Sequence, residues 1–127
     1  MLTLTELQKR ILANLEEAGE DDVSALTNTL INRQGSPDEI DEMEEALLSL
    51  LSCNLVQLAR DRDLISKRWS PLPYEEAIET TANIKSCFSW SEVEQIWKWG
   101  KELPRLQVLL TNIGLTKARK ILSEGDW

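Results

Sequence analysis

The chain has 127 residues, with 14 Lys+Arg against 22 Asp+Glu, no histidine, two cysteines and five tryptophans. That length suits one domain or two small lobes sharing a core, and 42% hydrophobic with 28% charged residues is a globular balance, not a disordered one. The missing histidine excludes Ser-His-Asp and Cys-His catalysis and every His-ligated metal site, and a net charge of −8 argues against a generic binder of nucleic acid or anionic membrane.

The opening MLTLTELQKR is polar by its sixth residue, so no secretory signal is expected in it. Three capping boxes, each a Ser or Thr followed three residues later by Glu, mark expected helix starts: Thr3-x-x-Glu6, Ser36-x-x-Glu39 and Ser89-x-x-Glu92. A first helix is predicted over Leu4–Ala18, with Leu4, Leu7, Ile11, Leu15 and Ala18 on one face and Gly19 ending it. The second runs from Val23 to Asn32, and Gly35 closes the segment. A third, Pro37 to about Cys53, turns Ile40, Met43, Leu47, Leu50 and Leu51 inward, with Pro37 at the first helical position where its missing N–H costs nothing. The densest apolar stretch, Ala46–Ala59, is interrupted by Ser49, Ser52, Asn54 and Gln57 and does not suit a bilayer span.

Leu55–Arg60 and Leu64–Trp69 then read as the arms of a β-hairpin around Asp61-Arg62-Asp63, followed by a rigid joint at Ser70-Pro71-Leu72-Pro73. Helical stretches are predicted near Tyr74–Cys87, Trp90–Glu102, Arg105–Asn112 and Thr116–Ser123. Cys53 and Cys87 have no C-x-x-C partner, so buried thiols and a reducing cytoplasm are expected.

The order helix, helix, helix, hairpin is carried by Leu4–Leu12, Val23–Leu26, Glu45–Leu51 and Asn54–Asp61. Together these segments resemble the winged helix-turn-helix domain of MarR-type bacterial regulators over roughly residues 3–70. The resemblance implies a mainly α fold, three helices plus a β-hairpin. Residues 1–70 would form the winged-helix domain and 71–127 a helical C-terminal extension that packs on it or makes a homodimer interface. It also implies a third helix that enters the DNA major groove and a wing that touches the flanking backbone.

The residues of that third helix fit DNA badly. From Ser36 to Asn54 there are six acids and no Lys or Arg, and Asp38, Glu42, Glu45, Ser49 and Ser52 share one solvent-facing stripe. DNA affinity draws on cations that displace counterions, and this stripe offers none. Residues 1–60 hold 12 acids and four bases, while residues 61–127 hold ten of each, so the whole net charge lies in the half that would meet DNA. The expected function is therefore a non-catalytic interaction module, with Asp38, Glu42, Glu45 and Ser49 facing a basic protein partner.

The alternative is a MarR-like DNA-binding regulator using the basic wing. Its contacts would be Arg60, Arg62, Lys67 and Arg68, with Lys117 and Lys120 nearer the C-terminus. Wings of the resembled family carry Asp followed two residues later by Arg; here Asp61 is followed by Asp63. Leu110–Leu122 resembles half of a helix-hairpin-helix motif, with Asn112 in place of its first glycine. On a helix starting at Ser89, Trp90, Val93, Ile96, Trp97 and Gly100 would face inward, leaving Trp99 and Trp127 as candidate interface aromatics. The adjacent carboxylates Glu16-Glu17 and Glu75-Glu76 point about 100° apart on a helix, so no enzyme site, metal site or cofactor is expected.

Overall fold

A computed structural model describes residues 4–31, 33–60, 70–101, 103 and 105–124. Helix α1 (Glu6–Ala18) starts on a capping box, formed by Thr5 with Gln8. The Thr5 hydroxyl accepts from the Gln8 amide (3.2 Å) and the Gln8 side chain accepts from the Thr5 amide (2.9 Å). Thr3 lies outside the described residues. Strand β1 (Glu20–Asp22) follows, and the Asp22 carboxylate caps α2 (Val23–Leu30) by accepting from the Ala25 amide at 2.6 Å. Helix α3 (Pro37–Ser52) starts on the expected Ser36/Glu39 box with Pro37 in its first turn.

Beyond α3 the chain forms β2 (Val56–Arg60), β3 (Ser70–Pro71), α4 (Tyr74–Thr81) and a 3-10 turn at Ile84–Cys87. Then come β4 (Phe88–Ser91), β5 (Ile96–Trp99), β6 (Leu106–Leu110) and α5 (Asn112–Glu124). The expected mainly α winged-helix fold with a helical extension is therefore wrong: among the described residues the fold is mixed α/β, with two antiparallel sheets. Two of the predicted helices are strands. Ser89, which was to open a helix, lies in β4, and Leu106–Leu110 is a sheet strand.

The first sheet has the order β1-β6-β2-β3, with every pair antiparallel. The strand between β1 and β2 is thus β6, from residues 106–110, and not the return arm of the expected hairpin. The expected return arm at Leu64–Trp69 lies outside the described residues; β2 pairs with Ser70 and Pro71, expected in the rigid joint, Ala59 opposite Pro71 and Arg60 opposite Ser70. β4 and β5 make a second sheet, with Phe88 opposite Trp99 and Trp90 opposite Trp97. Side chains alternate along a strand, so all four aromatics share one face. Their rings meet edge to face, at 5.1 Å for Phe88–Trp99, 6.4 Å for Phe88–Trp97 and 5.3 Å for Trp90–Trp97.

Helix α1 is the centre of the core. Ile11, Leu12 and Leu15 are completely buried, and α1 packs against α2, α3, α5, β1 and β6. Leu58 and Val108, partners across β2 and β6, complete the apolar layer with Met43, Leu47 and Leu50 of α3. The join of β6 to α5 is tightly made. The Thr111 hydroxyl donates to the Asn54 carbonyl (2.6 Å) and accepts from the Gly114 amide (2.9 Å), while the Thr111 amide donates to the Leu55 carbonyl at 3.1 Å. A Cβ on Gly114 would lie 1.8 Å from the Leu55 carbonyl oxygen, a backbone atom already held by Thr111.

Gly114→Ala is accordingly expected to lower stability by about 1–3 kcal/mol through overpacking. Urea unfolding reads this as a fall in midpoint with little change in slope. An unchanged midpoint would mean that α5 does not seat on the β2 end as described.

Candidate functional site

The acids of α3 divide into three groups with different surroundings. Glu39 is consumed by the fold. Its carboxylate accepts from the amides of Gln34 (3.1 and 3.2 Å), Gly35 (3.2 Å) and Ser36 (3.3 Å) and from the indole N–H of Trp97 at 3.0 Å. Partial burial works against its ionisation, but the Trp97 indole and the Gln34, Ser36 and Gly35 amides outweigh it and hold this carboxyl below the ordinary glutamate range. Asp41 and Glu44 form the second group, turned toward the 3-10 turn. Lys85 pairs with Asp41 at 3.0 Å, and burial, reinforced by the Asp41 charge and eased by Lys85, pushes the Glu44 carboxyl up.

Asp38, Glu42 and Glu45 are the third group. They follow one another at helical spacing and are all exposed, with Ser49 half-buried on the next turn. Among the described residues no cation pairs with Asp38, Glu42 or Glu45. Glu42 and Glu45 border a groove of about 350 Å³ whose other side is the first turn of α1, with Thr5, Glu6 and Leu7, and Ala46 lies between the two helices. Glu6 is partnered by Arg10 at 2.9 Å, one turn along. The groove thus combines apolar surface from Leu7, over buried Ala46, with two carboxylates that have no cation partner among the described residues. Ser52, also on the predicted stripe, turns its hydroxyl back to the Leu48 carbonyl at 2.8 Å.

The N-terminal turn of α3 is covered by the aromatic hairpin. The Asn28 side chain of α2 pairs with the backbone of Trp97 in both directions, each bond 2.8 Å, as a neighbouring strand would. Trp97 reaches Glu39, and Trp90 packs on Gly35, where a Cβ would stand 2.7 Å from the indole nitrogen. Gly35 also has φ 87°, in the left-handed region, so both its backbone and its neighbour require glycine.

Of the residues considered for nucleic acid, the described ones are Arg60 on β2 and Lys117 and Lys120, one turn apart on α5. Arg60 is paired with Glu76 of α4. Lys117 and Lys120 lie on α5, which packs against α1, and Arg119 between them bonds Glu16 at 3.4 Å. Arg62, Lys67, Arg68 and Trp127 lie outside the described residues. Leu110 belongs to β6, so Leu110–Leu122 runs strand-to-helix and lacks the first helix of a helix-hairpin-helix motif. Trp99 is half-buried on β5 against Phe88, and Val93, expected to face inward on a helix, is 95% exposed at the hairpin turn. Glu6 and Leu7 were missed as part of the acidic face. Their only local sign was the Thr5-x-x-Gln8 spacing that overlaps the expected box and brings Glu6 into the first turn of α1.

Both cysteines are free, and burial pushes the Cys87 thiol up, away from the reactive thiolate form. Among the described residues no cluster of His, Cys, Asp or Glu is placed to hold a metal ion, and no helix is long and apolar enough to cross a membrane.

Glu39→Gln is expected to cost about 1–2 kcal/mol at neutral pH, because an uncharged amide cannot replace a carboxylate that serves three amides and an indole. Because the folded pKa is depressed, the Glu39 contribution is complete above the ordinary glutamate value and is lost as pH falls through the lower, folded one. Urea titrations of both proteins along a pH series should therefore converge in acid; a difference that is the same at every pH would contradict this role. No family model, curated protein or solved structure matches the chain, so any functional reading rests on its own residues.

Proposed function

We propose that this protein is a non-catalytic interaction module that receives a basic protein partner on the outward acids of α3, working in a reducing, cytoplasmic setting. The observation that carries this reading is the pair Glu42 and Glu45, exposed and without a cation among the described residues, beside a groove lined by Leu7 over buried Ala46. Asp38 and Ser49 extend the same stripe by a turn on either side. Complementary charge across such a face speeds encounter and selects partners, while apolar contact in the groove supplies affinity that salt does not screen. A second copy of the chain would bring the same acids to this face, so a homodimer would have to form through another surface.

DNA binding has less support. The α3 turn that would lead into a groove is occupied by Trp90 and Trp97, and Arg60, its one wing contact among the described residues, is held by Glu76.

Fluorescence anisotropy with a labelled Lys/Leu amphipathic peptide and with a labelled duplex separates the two readings. The peptide is expected to bind, more weakly as salt rises, and the double reversal Glu42→Lys with Glu45→Lys should reduce its affinity by roughly tenfold or more. The duplex should not bind at low salt. Tight duplex binding that weakens steeply with salt and is lost on Lys117→Ala with Lys120→Ala would overturn the proposal.

A further inference from the structure

A cleft of about 340 Å³ lies between the first turn of α2 and the turn that leaves β5. Buried Val23 and Leu106 form its floor, and the half-buried Trp99 indole forms one wall, held edge-on against Phe88 at 5.1 Å. Leu103 stands at the mouth with 40% of its surface exposed. The Leu103 amide donates to the Gly100 carbonyl at 3.1 Å, and its side chain fills the space that a Cβ on Gly100 would need. Gly100 in turn donates to the Cys87 carbonyl at 3.0 Å, tying this turn to the aromatic hairpin.

Counted over the described residues alone, the charges of the cleft run against those of the chain. Among its described lining residues, Lys101 and Arg105 stand opposite a single carboxylate, Asp22, in a protein whose net charge is −8. Asp22 is spoken for: one oxygen caps the Ala25 amide at 2.6 Å and the other bonds Arg105 at 3.0 Å. The Ala25 amide is therefore already satisfied and is not offered to an anion. Arg105 keeps 66% of its side chain exposed beyond that bond, and Lys101 is exposed. A guanidinium has five N–H donors, so one carboxylate oxygen leaves capacity for a second acceptor.

From this combination we infer a small-molecule site for an organic anion with a flat or branched apolar body. The body lies between Trp99 and Leu103 over Val23 and Leu106, and the anionic group meets Lys101 and Arg105. The volume is within the range of ligand pockets, roughly 300–1,000 Å³, which pair apolar walls with a few placed polar groups. An inorganic anion leaves the apolar floor wet, and an organic cation meets like charge. This site is separate from the acidic face of α3 and does not depend on it.

Two probes of the same shape and opposite charge test it on the full chain: 2-naphthoate and 2-naphthylmethylammonium, followed by amide and indole NMR shifts. The naphthoate should bind saturably in the millimolar range or below, moving the amides of Val23, Ser24 and Ala25 and the Trp99 indole. The ammonium isostere should bind at least roughly tenfold more weakly, and Lys101→Glu should weaken the naphthoate by about tenfold. Lys101 is exposed, so this variant should melt as the parent does, and it keeps the test valid where Trp99→Leu disturbs the hairpin. Equal binding of both probes, shifts confined to other surfaces, no response to Lys101→Glu, or no binding at all would each overturn the assignment.

Discussion

The contact on which the arrangement of this protein turns is the capture of Trp97 by two helices. Its backbone is paired by Asn28 of α2 and its indole N–H by Glu39 of α3. These bonds dock the aromatic hairpin over the α2–α3 turn, and three further consequences follow. The first turn of α3 is closed, Glu39 is removed from the set of acids able to meet a partner, and Trp99 is carried to the wall of the cleft at the opposite end of α2. Each bond is partly shielded from water and one is charge-assisted, which is where hydrogen bonds contribute most. The exposed ion pairs, such as Glu94 with Lys98 or Glu6 with Arg10, are minor by comparison.

The second constraint is the insertion of β6 between β1 and β2. It joins segments more than 45 residues apart in the chain, Val56–Arg60 with Leu106–Leu110, and its far end leads straight into α5 through the Thr111 lock on Asn54 and Leu55. Strands from both halves of the chain therefore share a sheet. The acidic first half and the neutral second half are a property of the sequence, but on the folded surface the two kinds of charge are interleaved by Lys85–Asp41, Arg105–Asp22 and Arg119–Glu16. What stays without a cation partner on the outward side of α3, among the described residues, is Asp38, Glu42 and Glu45.

The helices of the first half were legible because their signals are local: the Ser36/Glu39 box, Pro37 in the first turn, and apolar spacing through Leu47 and Leu50. The second half misled for a physical reason. Trp90, Val93, Ile96 and Trp97 satisfy a helical period, while Phe88, Trp90, Trp97 and Trp99 satisfy a two-residue period broken by a turn at Glu92–Gln95. A short run cannot decide between these by itself. Aromatics favour strands that have a surface to pack on, and the surface here comes from Asn28, Gly35 and Glu39, about 55 to 70 positions away. The Ser89-x-x-Glu92 spacing was a motif without a helix behind it. Leu106–Leu110 was ambiguous for the same cause, because only its partners β1 and β2 make it a strand. At the acidic face, the stripe Asp38, Glu42, Glu45 was readable from periodicity, whereas its division from Glu39 and Asp41, and its meeting with Glu6, required tertiary contacts.

The claim that Trp97 and Glu39 together hold the hairpin on α3 is tested most directly by a double-mutant cycle in urea. Glu39→Gln and Trp97→Phe are measured singly and together, the phenyl ring keeping an aromatic body while removing the indole N–H. If the contact carries the docking, the two losses are strongly non-additive, with a coupling of about 1 kcal/mol or more that fades in acid as Glu39 protonates. Losses that simply add, within about 0.3–0.5 kcal/mol at neutral pH, would contradict the account and leave the α3 turn open.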